Sequence, residues 1–205
     1  LLGINLGHLG FITALEADEI DLISRIFEGR YQIDNRMMLD VSVVGNGSFV
    51  FSKTAQFTGG LTASDSVTIS VNNGVYPGKG AVTIKDTATL KLVDSASGTV
   101  PVAGKLTMEG GSTLHIPQFS ASVVPISVNS LEFANVENNK KVALKIDGGS
   151  LINGYNVILE SDNAIPENAW SMIELSADGV SIPEEMEASY VTQGNALCIL
   201  VKGVN

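Results

Sequence analysis

Two stretches of this chain repeat one another. Lys105–Ile116 reads KLTMEGGSTLHI and Ala143–Gly154 reads ALKIDGGSLING, with Ala81–Leu92, AVTIKDTATLKL, as a looser third copy. In each, apolar and polar residues alternate with period two for a few residues, and a turn of Gly, Asp or Ser follows. Such a pattern buries one face of each short strand and stops any strand from running long. The same alternation recurs from Gln56 onward, in SVTISV (66–71), AVTI (81–84), ATLKLV (88–93), GKLTM (104–108), STLHI (112–116), ISVNSLEF (126–133), VALKI (142–146) and NVILE (156–160). The three copies start at positions 81, 105 and 143. The first interval fits one coil of a parallel β-helix and the longer second interval fits one coil plus an insertion. An antiparallel β-sandwich also has many short strands joined by turns, and it stands as the alternative.

The first quarter reads differently. Leu1–Gly7, LLGINLG, is a short apolar run ending in glycine, consistent with a buried strand entering a tight loop. In TALEADEIDLISRIFEGRY, Ala17, Ile20, Ile23 and Phe27 fall roughly on one helical face, with Glu16, Asp18 and Glu19 in the first turns and Arg25 near the end. Gly29 is a C-terminal stop. RMMLDVSVV (36–44) then alternates as a strand, GNG (45–47) reads as a hairpin turn, and SFVFSKTA (48–55) as the returning strand. All three arginines precede residue 40, and every basic residue after 55 is lysine apart from His115. Paired glycines occur only at 59–60, 110–111 and 148–149. The sequence therefore divides into an α/β fragment over residues 1–55 and a mainly β solenoid over 56–205. Strand–helix–hairpin units lack the neighbours their apolar faces expect. This one is expected to be marginal alone, or to cap the N-terminal end of the solenoid by adding strands to it.

Residues 1–55 resemble the NAD kinase family. The carriers are GINLGHLGFIT (3–13), the acidic helix pattern, and RMMLDVSVV followed by a strand ending in SKTA. The resemblance implies ATP-dependent phosphorylation of NAD to NADP, with His8 and Phe11 lining the substrate site. Read from the residues alone, Phe11 is equally a core residue and His8 a loop cap. The family's GGDG block, whose aspartate is the catalytic base, would precede Leu1, and QFTGGLTASD (56–65) stands where its Asn-Glu or Asn-Asp block would follow. NAD and ATP are thus expected as ligands only if the site is completed upstream. Leu1 begins inside an apparent strand, which points to a start lying further upstream.

Residues 56–205 resemble the right-handed passenger-type β-helix of autotransporters and related bacterial surface proteins. The carriers are FTGGLTASDSVTISVNNG, GKLTMEGGSTLHI and the end segment AWSMIELSADGVSI…YVTQGNALCILV. This implies an exported structural or adhesive stalk with a cell-surface ligand, whereas the first segment implies the cytoplasm. Export itself is not expected to be encoded within residues 56–205.

Few side chains of the second part suggest chemistry. His115 has no Cys, Asp or second His at ligand spacing, which favours a surface or satisfied residue over a metal ligand. Asp86, Asp94, Glu109 and Asp147 could serve a glycosidase, but they sit at turn edges where acidic residues cap and solubilise. No DxDxDG-like calcium loop and no Ser/His/Asp set is present. Cys198, alone in the apolar run ALCILV, reads as a small buried hydrophobe. Trp170, Met172, Ile173 and Leu175 are placed to cover the solenoid end. A formal charge of −10 over 205 residues disfavours nucleic acid and anionic membranes as partners. No apolar run is long enough for a membrane helix. The expectation is a fused or truncated chain with no complete active site, no catalytic residues of its own and no metal. The alternative is an NAD kinase-like protein, truncated at its N-terminus, that keeps nucleotide binding through a diverged β-rich domain.

Overall fold

A computed structural model describes residues 4–5, 15–16 and 39–204 of the chain. The chain divides into two compact units, Leu1–Arg36 and Met37–Asn205. In the first, β1 (Ile4–Asn5) pairs in parallel with β2 (Leu15–Glu16). Leu15 and Glu16, expected to open a helix, are therefore extended, and the rest of that expected helix lies outside the described residues.

The second unit is mainly β. Its strands are β3 (Val41–Phe51), β4 (Leu61–Asn72), β5 (Val82–Ile84), β6 (Thr89–Val93), β7 (Val100–Glu109), β8 (Thr113–Ile116), β9 (Phe119–Ser120), β10 (Ile126–Ala134), β11 (Val142–Ile146), β12 (Gly149–Ser150), β13 (Gly154–Ser161), β14 (Ile173–Ser176), β15 (Val180–Ser181), β16 (Met186–Gln193) and β17 (Ala196–Gly203). A single 3₁₀ turn, Ala169–Met172, stands among them in the described residues. Twelve strands join one curled sheet, and β9, β12 and β15 form a second.

Most pairings are parallel, and they link each segment to one further along the chain. Val41 pairs with Leu61, Leu61 with Val82, and Val82 with Leu106. Leu106 pairs in turn with Leu131, Leu114 with Leu144, and Leu144 with Leu175, so the step between partners lengthens toward the C-terminus. In-register stacking places like residues on like. Ile69, Leu90, Leu114, Leu144 and Leu175 form one inward row, and Ala63, Ile84, Met108 and Phe133 form another. Ile69, Ile84 and Leu90 are wholly excluded from solvent. Burying a side chain of this size is worth about 1.5–3 kcal/mol. The rows are thus the main source of cohesion, since no short strand buries an apolar face unaided.

The sheet curls because strands bend at fixed places. Asp65 and Asp86 adopt left-handed backbone conformations, φ 60° and 56°, at successive corners. The Asp65 N–H donates to the Asp86 carboxylate, and the Thr87 N–H donates to the Asp65 carbonyl. Asp tolerates this region better than most residues because its short polar side chain bonds locally. A second corner is a column of glycines. A Cβ on Gly59, Gly80 or Gly104 would fall on the backbone of Leu39, Gly59 or Gly80 respectively.

Two expectations are corrected. Residues 45–47 do not form a hairpin. Gly45 and Gly47 have φ of 111° and 139°, yet β3 continues through them and pairs in parallel with β4 from Val41↔Leu61 to Phe51↔Val71. The parallel partner already takes up the strand's hydrogen bonds, so the glycines bend the strand without reversing it. β3 does extend the sheet, as one strand. The second correction concerns the repeats. The copies starting at 81 and 105 stack at their sequence offset, Val82 on Leu106 and Leu90 on Leu114. The copies starting at 105 and 143 do not: Leu114 pairs with Leu144, not with Ile152. Their shared Gly-Gly-Ser marks two different corners, one before β8 and one at β12.

One end carries antiparallel strands. β17 pairs with β13 on one side and β16 on the other. The Trp170 indole N–H donates to the Val191 carbonyl at 2.8 Å, and its ring stacks on Tyr190 at 5.2 Å. Trp170 thereby satisfies an acceptor on β16, the last strand of the sheet. Of the other residues expected to cover this end, Ile173 is buried within β14 while Met172 and Leu175 are half-buried.

Replacing Leu90 with Ala should cost about 2–5 kcal/mol by leaving a cavity between Ile69 and Leu114. Gly80→Ala should cost at least about 1–3 kcal/mol, because its methyl meets backbone that cannot step aside. Urea denaturation of each variant measures both effects.

Candidate functional site

His115 and Asp147 are distant in sequence and meet because β8 pairs with β11. Inward Leu114 and Ile116 fix the outward direction of His115 between them. Its register partners are Lys91 on β6 and Lys145 on β11, so three basic side chains form an outward row. Asp147 follows β11, tied by its N–H to the Ile116 carbonyl. Its carboxylate takes His115 Nε2 at 2.7 Å on one oxygen and Lys145 Nζ at 3.0 Å on the other. The hydrogen bond from Lys145, then that from His115, holds the Asp147 carboxyl below its ordinary value of 3.8. The His115 side chain is 15% exposed and that of Asp147 42%.

One carboxylate bridging two basic side chains on an outer face is an electrostatic clasp between stacked strands. It brings no hydroxyl or thiol nucleophile to the imidazole among the described contacts. No group of three or more His, Cys, Asp and Glu able to hold a metal ion occurs among the described residues.

The other acidic candidates are spread over turns. Asp86 accepts from the Asp65 N–H, Glu109 accepts from the Asn135 side-chain amide at 3.1 Å, and Asp94 occupies a left-handed turn position with φ 54°. The structure does not assemble these carboxylates, Asp147 included, into a pair around one groove. Cys198 is fully buried in β17, and burial pushes its thiol up. His8 and Phe11 lie outside the described residues. What sequence spacing missed was the His115–Asp147 pair, since a whole run of strands and turns separates them. The repeat alignment gave no signal for it, because STLHI pairs with VALKI and not, in repeat register, with the later part of the copy that starts at Ala143.

Comparison with known proteins gives partial matches to NAD kinases. The chain is 47% identical over 47 residues to the NAD kinase of Caldanaerobacter subterraneus subsp. tengcongensis, covering 22% of this chain and 17% of that protein. It is 48% identical over 48 residues to that of Symbiobacterium thermophilum, covering 23% and 17%. A longer match, 29% identical over 107 residues, covers 48% of this chain and 37% of the Acetivibrio thermocellus NAD kinase. The chain thus spans only a minor part of the length of each of these relatives. No protein-family model matches it, and no solved structure matches it significantly. Among the described residues, no helix is long and apolar enough to cross a membrane.

Acid titration isolates the clasp. Asp147 is stabilised in its charged form, so its contribution is fully present above about pH 4 and is lost as pH falls through its lowered folded value. Asp147→Asn should remove that part of the acid dependence, with an effect at neutral pH below about 1 kcal/mol because the Asp147 carboxylate is open to water. Urea midpoints between pH 2.5 and 6 for both proteins check this. Cys198 should resist iodoacetamide at pH 8 in the folded protein and react at once in denaturant, as read by mass spectrometry.

Proposed function

We propose that the body of this protein is a right-handed parallel β-solenoid serving as a structural, adhesive scaffold of a bacterial surface protein, joined to a segment derived from an NAD kinase. The observation carrying this reading is the ladder of parallel pairings, each strand laid on one further along the chain, with apolar residues stacked inward. Outward positions hold side chains suited to solvent: Thr68, Thr89 and Thr113 in one row, and Lys91, His115 and Lys145 in the next. A scaffold needs such a body and no chemistry. Phosphoryl transfer needs phosphates held and a hydroxyl activated. The described basic row is instead tied to Asp147 through His115 and Lys145.

A second reading has one observation in its favour. The match to the Acetivibrio thermocellus NAD kinase runs for 107 residues, well beyond the N-terminal stretch that carries the resemblance motifs. On that reading the β-rich part is a diverged nucleotide-binding domain. Thermal-shift titration with NAD and NADP separates the two. The scaffold reading expects a melting temperature unchanged at millimolar nucleotide, whereas saturable stabilisation would establish the second.

A further inference from the structure

The three-stranded sheet carries a groove that the readings above do not use. β9, β12 and β15 stack in register, Ser120 beside Ser150 beside Ser181. Over the first two of these strands lies a groove of about 410 Å³, within the range of small-molecule and oligosaccharide sites. Its polar groups are the carboxamide of Gln118 and the hydroxyls of Ser120, Ser122 and Ser150, and Ile152, 53% exposed, forms an apolar flank. No charged side chain lines it.

The polar groups are free to engage a ligand. The Gln118 backbone carbonyl is fixed by the buried Ser95 hydroxyl at 2.7 Å, while its side-chain amide makes no hydrogen bond among the described residues. Ser120 Oγ accepts from the Ser122 N–H and so keeps its own proton to donate, while the Ser150 hydroxyl bonds that of Ser181, which also reaches the Gly149 carbonyl. The floor is a close approach of two strands. Gly149, φ 133°, can carry no side chain, because a Cβ there would fall on Phe119.

We propose that this groove binds a neutral oligosaccharide. An anion would call for a cation that the lining lacks, and a purely apolar ligand would strip water from the polar groups without replacing it. A sugar offers vicinal hydroxyls that suit the paired donor and acceptor of a carboxamide and a row of hydroxyls spaced by one strand. Its apolar C–H face suits the exposed flank of Ile152. The inference rests on the scaffold reading, to which it gives a ligand class.

The test is an array of neutral glycans probed with the whole chain, followed by NMR titration with the best binder. Expected are saturable amide shifts confined to Gln118–Ser122 and Gly149–Ile152. Gln118→Ala should weaken binding about 3–10-fold, the worth of one or two hydrogen bonds. Ser122→Trp, on an exposed position, should fill the groove and abolish binding while the melting temperature holds. Absence of binding across the array, shifts elsewhere, or preference for polygalacturonate over neutral glycans would overturn the proposal. None of these outcomes bears on the scaffold reading, which the nucleotide titration decides separately.

Discussion

The parallel hydrogen-bond ladder between successive segments is the constraint on which the rest of this structure depends. A four- or five-residue strand such as β8 or β11 cannot bury an apolar face alone. Paired in register, the strands set Leu114 beside Leu144 and Ile116 beside Ile146, so that neighbouring strands build one continuous apolar face. Core and backbone pairing are therefore one arrangement. Losing register by a single residue would turn every inward leucine outward.

Corners and ends follow from that ladder. Neighbouring parallel segments that bend do so side by side, which puts left-handed Asp65 and Asp86 in line and leaves no space for side chains along Gly59, Gly80 and Gly104. An end must be closed. β16 and β17 do this by switching to antiparallel pairing against β13, with Trp170 bound to the outermost strand. The His115–Asp147–Lys145 clasp is a lateral tie of the same kind, small because water reaches it.

How much of this was legible in the sequence depended on range. Each short strand read from alternation is present, because burial of one face imposes that pattern locally. The spacing of the copies at 81 and 105 is a true stacking interval. The wider spacing of the copies at 105 and 143 misled, since a Gly-Gly-Ser turn looks alike at any corner. The stacking step also lengthens along the chain, from the Val41–Leu61 pair to the Leu144–Leu175 pair, so no fixed period describes it. The GNG segment misled for a related reason: two glycines permit reversal, but only the partner strand decides whether reversal happens. Asn156 had no signal at all. Its buried amide braces the preceding turn through Ile152 and Gly154 and reaches the Ile199 carbonyl, a role set by tertiary packing. The groove of Ser120 and Ser150 likewise appears only once the strands are stacked.

The central claim is the stacking register, and disulfide trapping tests it most directly. Parallel neighbours lie about 4.8 Å apart, within reach of a disulfide. Thr113→Cys with Ala143→Cys, a register pair on outward positions, should cross-link readily under mild oxidation. Thr113→Cys with Leu151→Cys, the pair that the sequence repeat alone would align, should not. Cross-linking of the second pair in preference to the first would contradict the ladder, and with it the solenoid reading.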